Sequence, residues 1–555
     1  LPEFLSVDFN GAGEDNNSGL PRLLSTDSSL QEGNAYAALE RLMMKNHKRE
    51  LKKGPAMTRR GFIGGSTALG GLLLASNSVS QETLNARPAE WPQGKPLIVQ
   101  PVLTYDTPQR QDRTSWRSYG GIHTDDAATA EALRIQEELQ QLVASAGFPV
   151  ELRPIVLAKD ETAIAGLSAA SDADVLMPYA AGGAVEWFWK LASCGKPNLM
   201  FLRHKSGPYY LYHEIAHWRV LRHHEDTMAE PRLDVRDIVV DDYDEVLWRL
   251  RALYGLKNAK GTKVLAIGSL AAYSAPAQKH GPRVAQDLWG YTIEVLPREE
   301  FARRLETAKA DAGFMKDAEA ETDRFLSNPQ ITLQTERKFV VNSFAAWHLC
   351  KMLLEEKQAF NFGFDYCMGH DIIVMLDTPP CLVLALANDA GYTAYCHTDL
   401  SHTMPGVLLR WITGKPTFVC NTHFPHDGIY TVAHCAAPMK MDGHNYEPVT
   451  VMTHYESDYG AASKVAYKKG QVVTLVQPDL HCTRWHGFRG TVADTPSLPM
   501  CRSQMDISIE GDIQRITEEI EGFHAQVVYG DYLREVGYAL KKLGSLEWVN
   551  YSKPA

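Results

Sequence analysis

Lys263-Val264-Leu265-Ala266-Ile267-Gly268, a helical stretch across Gly281 to Trp289, and the return Ile293-Glu294-Val295-Leu296 decide the fold class of this chain. A short unbroken apolar run closed by glycine is the pattern of a strand covered on both faces. A helix between two such runs makes them parallel neighbours, because parallel strands need a crossover of a dozen or more residues. Toward the amino end the alternation repeats. Leu97-Ile98-Val99 opens a strand, Thr124-Asp125-Asp126 caps a long helical pattern ending near Gly147, and Val150 to Arg153, Val175 to Met177 and Leu199 to Leu202 are further short apolar strands. The expectation is α/β, with two N-terminal Rossmann-like modules of flavodoxin type over residues 97–245 and 246–335. Neither carries G-x-G-x-x-G, and Ala181-Gly182-Gly183-Ala184 is too generic for a phosphate loop, so no nucleotide cofactor is expected.

From Glu336 the texture changes. A helix, Phe339 to Glu356, gives way to a region rich in His, Cys and aromatic residues with short β-like runs such as Val472 to Val476 and Val527 to Tyr529. Residues 336–555 are thus expected to form a third, mixed α/β–β domain, which holds nearly all the chemically interesting side chains.

At the amino end, residues 1–43 are polar, acidic and rich in Ser, Gly and Asn, and read as a disordered leader or upstream readthrough. Residues 44–80 contain Thr58-Arg59-Arg60-Gly61-Phe62-Ile63 and then a soft apolar run to Ala75. Two arginines ahead of a Gly/Ala/Leu-rich segment resemble a twin-arginine export signal. A run of about 14 residues spans only ~21 Å as a helix, short of the ~30 Å hydrocarbon core. The expectation is export through the twin-arginine machinery to the periplasm or the extracellular space, with no stable membrane span after processing. That route carries folded cargo, which suits a metal-loaded protein. Residues 81–96, through Arg87-Pro88 and Pro92 to Pro96, read as a linker.

The 555 residues carry a net charge of −11, with 45% hydrophobic and 22% charged residues, an ordinary globular composition. The acidic balance argues against nucleic acid as a partner, since phosphate neutralisation needs a basic face. Nine cysteines, eight of them after position 349, show no small-framework spacing and read as core thiols.

Several blocks of the third domain stand in an order that resembles the carboxyl half of the L-fucose isomerase and L-arabinose isomerase superfamily. They are Thr378-Pro379-Pro380-Cys381-Leu382 with Asn388-Asp389-Ala390-Gly391, and Tyr395-Cys396-His397-Thr398-Asp399-Leu400, which is similar to a strand end written C-E-x-D. Leu409 to Lys415, Ala433 to Pro438, His454-Tyr455-Glu456-Ser457, and Gly522-Phe523-His524 to Tyr529-Gly530-Asp531 follow. The last is similar to a terminal H-H-x(4)-Y-G-D block. With the two upstream modules, the match covers residues 97 to 550. The resemblance implies a metal-dependent sugar isomerase, assembled as a homo-oligomer (trimer or hexamer). Asp399, His434 and His524 would hold Mn²⁺ or a similar divalent ion, and Glu456 or another carboxylate would move the proton. Such chemistry needs a proton carried between adjacent carbons and an enediolate stabilised meanwhile. Three departures stand out. His397 replaces the glutamate of C-E-x-D, and the aligned stretch Cys381 to Leu386 supplies no second carboxylate. Phe523 replaces the first histidine of the terminal pair.

Each position also has a plainer reading. Asp399 suits a helix cap, His434 a core imidazole, and Glu456 a surface carboxylate. His481-Cys482-Thr483-Arg484-Trp485-His486-Gly487 is a polar-aromatic knot in which Arg484 and Trp485, with His397, would grip a sugar, or which is a packed turn. Cys420-x-x-His423-x-x-His426-Asp427 packs four donors into eight residues and offers a competing zinc reading, with lyase or hydrolase chemistry on saccharides. A non-catalytic sugar-binding protein of the same fold is the remaining alternative.

Overall fold

The computed structural model describes residues 91–552, save 171, 227–232 and 367–368. The leader and the export signal expected before residue 81 lie outside the described residues, and everything described falls within one compact unit.

The first sheet is parallel: β1 (Leu97–Thr104), β2 (Val150–Leu152), β3 (Val156–Ala158), β4 (Val175–Ala180), β5 (Met200–Leu202) and β6 (Ile238–Val240). Its order is β2-β1-β4-β5-β6, with β3 pairing the far half of β1. Taking β2 and β3 as one interrupted strand, this is the flavodoxin-type order. Helix α1 (Asp125–Ala144) is capped by Thr124, whose hydroxyl accepts the Ala127 N–H, as the sequence predicts.

The second sheet repeats that order. β7 (Lys263–Ile267) and β8 (Thr292–Leu296) flank α3 (Ala275–Asp287), which follows α2 (Tyr243–Ala259). β9 (Ile331–Leu333) and α4 (Arg337–Lys357) then lead to β10 (Asn361–Phe364), α5 (Cys381–Asp389) and β11 (Thr393–Cys396). The parallel order is β11-β10-β7-β8. The chain therefore switches from one side of β7 to the other, and the switch point lies between β7 and β10. The boundary expected at 336 falls inside this unit, because α4 is the crossover that returns the chain to β10. The change of texture at Glu336 marks a buried helix, not a new domain.

The carboxyl-terminal strands are antiparallel. β12 (Phe418–Thr422), β13 (Ile429–His434), β16 (Val472–Pro478), β17 (Arg484–Asp494), β18 (Ser503–Glu510) and β19 (His524–Tyr529) run in the order β16-β19-β12-β13-β18-β17. β16 also pairs with β17, closing a six-stranded barrel, and β20 (Glu547–Asn550) adds in parallel to β17. β14 (Val449–Met452) and β15 (Ala462–Val465) form a small sheet with β9. Tyr430, Val432, Leu475, Phe488, Met505, Ile507 and Val527 fill the barrel core. α7 (Leu533–Leu543) precedes the last strand.

α6 (Leu400–Thr413) joins the two architectures. All its residues are buried, and it packs against α2, α3, β16 and β19. Its Arg410 is satisfied internally, donating to the carbonyls of Gly391 and Pro92 at 2.8 and 2.7 Å. The described end of the expected linker is accordingly packed: Trp91 is buried and donates to the Asp389 carbonyl. Among the described residues no single helix is long and apolar enough to cross a membrane. The short helix 370–376 and α5 pass only together, bent by 67°.

Candidate metal centre

In open α/β sheets, ligands bind beyond the carboxyl ends of the strands, at the topological switch point. Here that place is bounded by Gly268 and Ser269 after β7, Asp365 after β10 and His397 after β11. Gly268 has a φ of +101°, and a Cβ there would overlap the Asp365 carboxylate. Asp365 is buried and held through one oxygen, which accepts from Ser269 Oγ at 2.8 Å and from Arg298 at 3.0 Å. Its other oxygen has no hydrogen bond. His397 follows with a φ of +60°, a left-handed conformation that a β-carbon makes costly and that turns the chain sharply into α6.

Asp399 caps α6. Its Oδ1 accepts the backbone N–H of Ser401 at 2.8 Å and the Ser401 hydroxyl at 2.6 Å. That leaves Oδ2, which stands 3.8 Å from Nδ1 of His402, one helical turn on and on the same face. β19 supplies the opposite wall. Strand alternation sends Ala525, Val527 and Tyr529 into the barrel core, while His524 and Gln526 face α6. Gln526 donates to the His402 carbonyl at 2.9 Å, and the His524 ring lies 4.7 Å from that of His402. One ligand atom from each of Asp399, His402 and His524 lies within 4.8 Å of the other two, and all three residues are buried. With bonds of about 2 Å, two ligands of one ion stand roughly 3–4 Å apart. Small side-chain rotations would close this group around an ion.

The electrostatics suit such an ion. Burial pushes the His524 imidazole well below its ordinary range, reinforced by His402, His434 and His397 around it. His402 is lowered by burial, against the pull of Asp399 and of the Cys396 carbonyl. His434 and His397 are both pushed down to about 4, chiefly by burial. Neutral imidazoles beside a carboxylate are the form a divalent cation binds. Buried polar atoms are almost always hydrogen-bonded, yet several here are not. Both ring nitrogens of His402, Nε2 of His397, Nε2 of His454, Oδ1 of Asn421 and Oε1 of Gln526 lack well-formed partners. The donor set fits a metal ion.

The site is roofed by the loop between β7 and α3. Thr398 ties that loop down, accepting the Ala271 N–H at 2.7 Å and donating to the Ser269 carbonyl at 2.6 Å. Tyr273 lies across the histidines, 4.6 Å from the His397 ring and 5.2 Å from that of His524, with 48% of its surface exposed. Tyr366 and Phe523 are also exposed and touch His397 and His524 respectively. Beside the group lies a cavity of about 70 Å³, lined by Tyr273, Asn421, His434, Cys435, His454 and Glu456 among others.

Asp399 and His524 therefore come together as the sequence predicts, while His402 joins them unannounced. Its only signal is the three-residue spacing from Asp399. His434 stands one step out, its ring 6.2 Å from that of His524, with Nδ1 accepting the Ala436 N–H. Glu456 reaches the cavity with its side chain 60% exposed, 3.8 Å from His454. His397 lies at the rim. Trp485 is fully buried, its ring stacked 5.5 Å from Trp289, so it has no face left for a sugar. Arg484 pairs with Glu547 at 2.8 Å, beside β20. The Cys420 to Asp427 donors do not converge either. Cys420 is buried in the barrel with its thiol turned to the Ala525 carbonyl, and His426 is exposed. Only Cys420 of the four lies on β12; His423, His426 and Asp427 follow its end, in the connection to β13.

No protein-family model matches the chain, and no curated protein matches it.

Proposed function

We propose that the protein is a metal-dependent enzyme acting on a small carbohydrate, by aldose–ketose isomerisation through an enediolate. The observation that carries this reading is the concentration of unpartnered buried polar atoms around Asp399, His402 and His524, at a switch point that also holds the buried carboxylate of Asp365. A divalent ion in that group, manganese by the resemblance to the fucose and arabinose isomerases, would supply the charge that stabilises an enediolate. Asp365, fixed through one oxygen by Arg298 and Ser269, keeps the other free to take a proton from one carbon and return it to the next. It stands just after β10, the strand paired with β11. Glu456 is the second candidate for that role. Tyr273, Tyr366 and Phe523 offer ring faces to the C–H side of a sugar. The cavity of about 70 Å³ is smaller than a hexose, so the Tyr273 loop opens for substrate and closes to exclude water. Assembly as a trimer or hexamer and twin-arginine export to the periplasm or extracellular space belong to the same reading.

The imidazole-rich donor set favours one second reading, a zinc-type lyase or hydrolase on saccharides, since two imidazoles and a carboxylate with an open position are a catalytic zinc set. Incubation of manganese-loaded and zinc-loaded protein with a panel of aldoses, ketoses and glycosides in D₂O separates the two. Ketose formation, with manganese or another divalent ion, abolished by Asp399→Asn and cut at least 100-fold in kcat by Asp365→Asn without metal loss, is the expected outcome. Glycoside cleavage with zinc alone replaces isomerisation by the second reading. Saccharide-dependent stabilisation without turnover would identify a sugar-binding protein instead.

A further inference from the structure

The cavity beside the metal group has a second wall, and that wall is built of thiols. Cys381 at the start of α5, Cys396 at the end of β11, Cys435 just after β13 and Cys501 just before β18 all line it. Cys435 is the hub. Its sulfur accepts the Arg502 N–H at 3.4 Å and is in contact with the thiols of Cys381 and Cys501 and with the imidazole of His454. His454 is itself held. Its Nδ1 meets the Ser457 hydroxyl at 3.0 Å and the Ser457 N–H at 3.3 Å, and its Nε2 lies 3.8 Å from Glu456. Unlike the Asp399 group, no three of these sulfur and nitrogen atoms come within 4.8 Å of one another, so the arrangement surrounds one sulfur instead of one ion. A thiol beside an oriented imidazole, with further thiols in reach, is the layout of a nucleophile with a polar neighbour and a resolving partner.

We propose that Cys435 is a hydroperoxide-reactive thiol, with His454 as the polar neighbour that positions it and Cys501 as the thiol that resolves the oxidised sulfur into a disulfide. In the first step the Cys435 thiolate attacks one oxygen of hydrogen peroxide. An S–O bond forms, the O–O bond breaks, and the proton given up by the Cys435 thiol leaves with the departing hydroxide as water. In the second step the Cys501 sulfur attacks the Cys435 sulfur. An S–S bond forms, the S–O bond breaks, and the Cys501 proton leaves with hydroxide as a second water. Two thiols are oxidised by two electrons in all, and one peroxide is reduced to two waters. A dithiol reductant reverses the disulfide.

The partners' environments agree with these roles. Cys435 itself is buried, so only a molecule that enters the cavity reaches its sulfur. Cys501 is raised, chiefly by its contact with Cys435, a restraint that disappears once Cys435 is oxidised. Cys501 and Glu456 are partly open, and the cavity admits a molecule the size of peroxide.

The test treats the full chain with stoichiometric hydrogen peroxide, quenches with N-ethylmaleimide, and maps peptides without reduction. A Cys435–Cys501 linkage as the main product, formed at least tenfold faster than oxidation of Cys194, is expected. Cys501→Ser should leave a sulfenic acid on Cys435 that dimedone traps, and His454→Asn should slow Cys435 oxidation at least tenfold. Cys435 oxidised no faster than Cys194, a Cys435–Cys381 linkage in place of the expected one, or an unchanged rate in His454→Asn would each overturn the proposal. The wild-type map decides the matter even where a variant fails to fold.

Discussion

Asp399 gives one carboxylate oxygen to the start of α6 and turns the other toward His402. Asparagine caps a helix about as well as aspartate but brings no charge, whereas alanine does neither. In metal-free protein Asp399→Asn should therefore stay within about 0.5 kcal/mol of wild type, while Asp399→Ala loses about 1 kcal/mol more. Both should lose stoichiometric metal by elemental analysis, and so should His402→Ala. Metal retained in His402→Ala would count against the donor set drawn here. The buried histidines add a pH effect. His434 is neutral when folded and titrates near 4, whereas in the unfolded chain it protonates below about 6.5. Below that pH the unfolded state holds the extra proton, so stability falls as pH drops from about 6.5 toward 4, by on the order of 3 kcal/mol for this residue. Urea midpoints measured across that range should fall less steeply in His434→Gln. At this scale Asp399 and His524 were legible because they sit in ordered blocks. His402, inside a buried run that reads as plain helix, was not, and Trp485 misled because a tryptophan beside an arginine looks alike in a packed turn and in a sugar site.

The elements that place these residues depend on close backbone approach. Gly363 lies in β10 where a Cβ would run into the carbonyl of His397 and, at 3.1 Å, that of Tyr395. Backbone atoms cannot swing aside, so Gly363→Ala should displace β11 or the turn after it and cost about 1–3 kcal/mol, the usual range for overpacking. Its denaturation midpoint should fall, and its metal affinity should fall with it because Asp399 follows that turn. A midpoint within error of wild type would contradict the crowding seen here. The strand–helix alternation was readable in sequence because each strand is a short apolar run between caps and glycines. The boundary at 336 was misplaced because α4 changes composition without changing architecture: the sheet to which it returns the chain was begun at Lys263. The burial of α6 on every side was equally hidden, since its Arg410 reads as solvent-exposed until the two carbonyls it serves are seen.

At the scale of the molecule, α6 packs against α2 and α3 on one side and against β16 and β19 of the barrel on the other. Denaturation of the described unit should therefore follow one transition, with no separate melting of the barrel, and differential scanning calorimetry reads this directly. A ligand that binds only the folded state adds RT ln(1 + [L]/Kd), about 2.7 kcal/mol at a hundred times Kd. Addition of a divalent ion that the Asp399 group binds should raise the whole transition, and a chelator should lower it. Two resolved transitions, only one of them sensitive to metal, would show that the halves are not coupled through α6. The doubled flavodoxin-type order was within reach of sequence, whereas the barrel was not. Its closure rests on the β16–β17 pairing, and no local pattern states which strand meets which.

The metal group also has an order in time. Asp399 and His402 leave the ribosome well before His524, which opens β19 near the end of the chain. A nascent chain halted at Gly522 carries two of the three donors and no wall opposite them. Capture of an ion by this group would thus wait for nearly complete synthesis, and an ion in the finished site would certify that the last barrel strands have found their places.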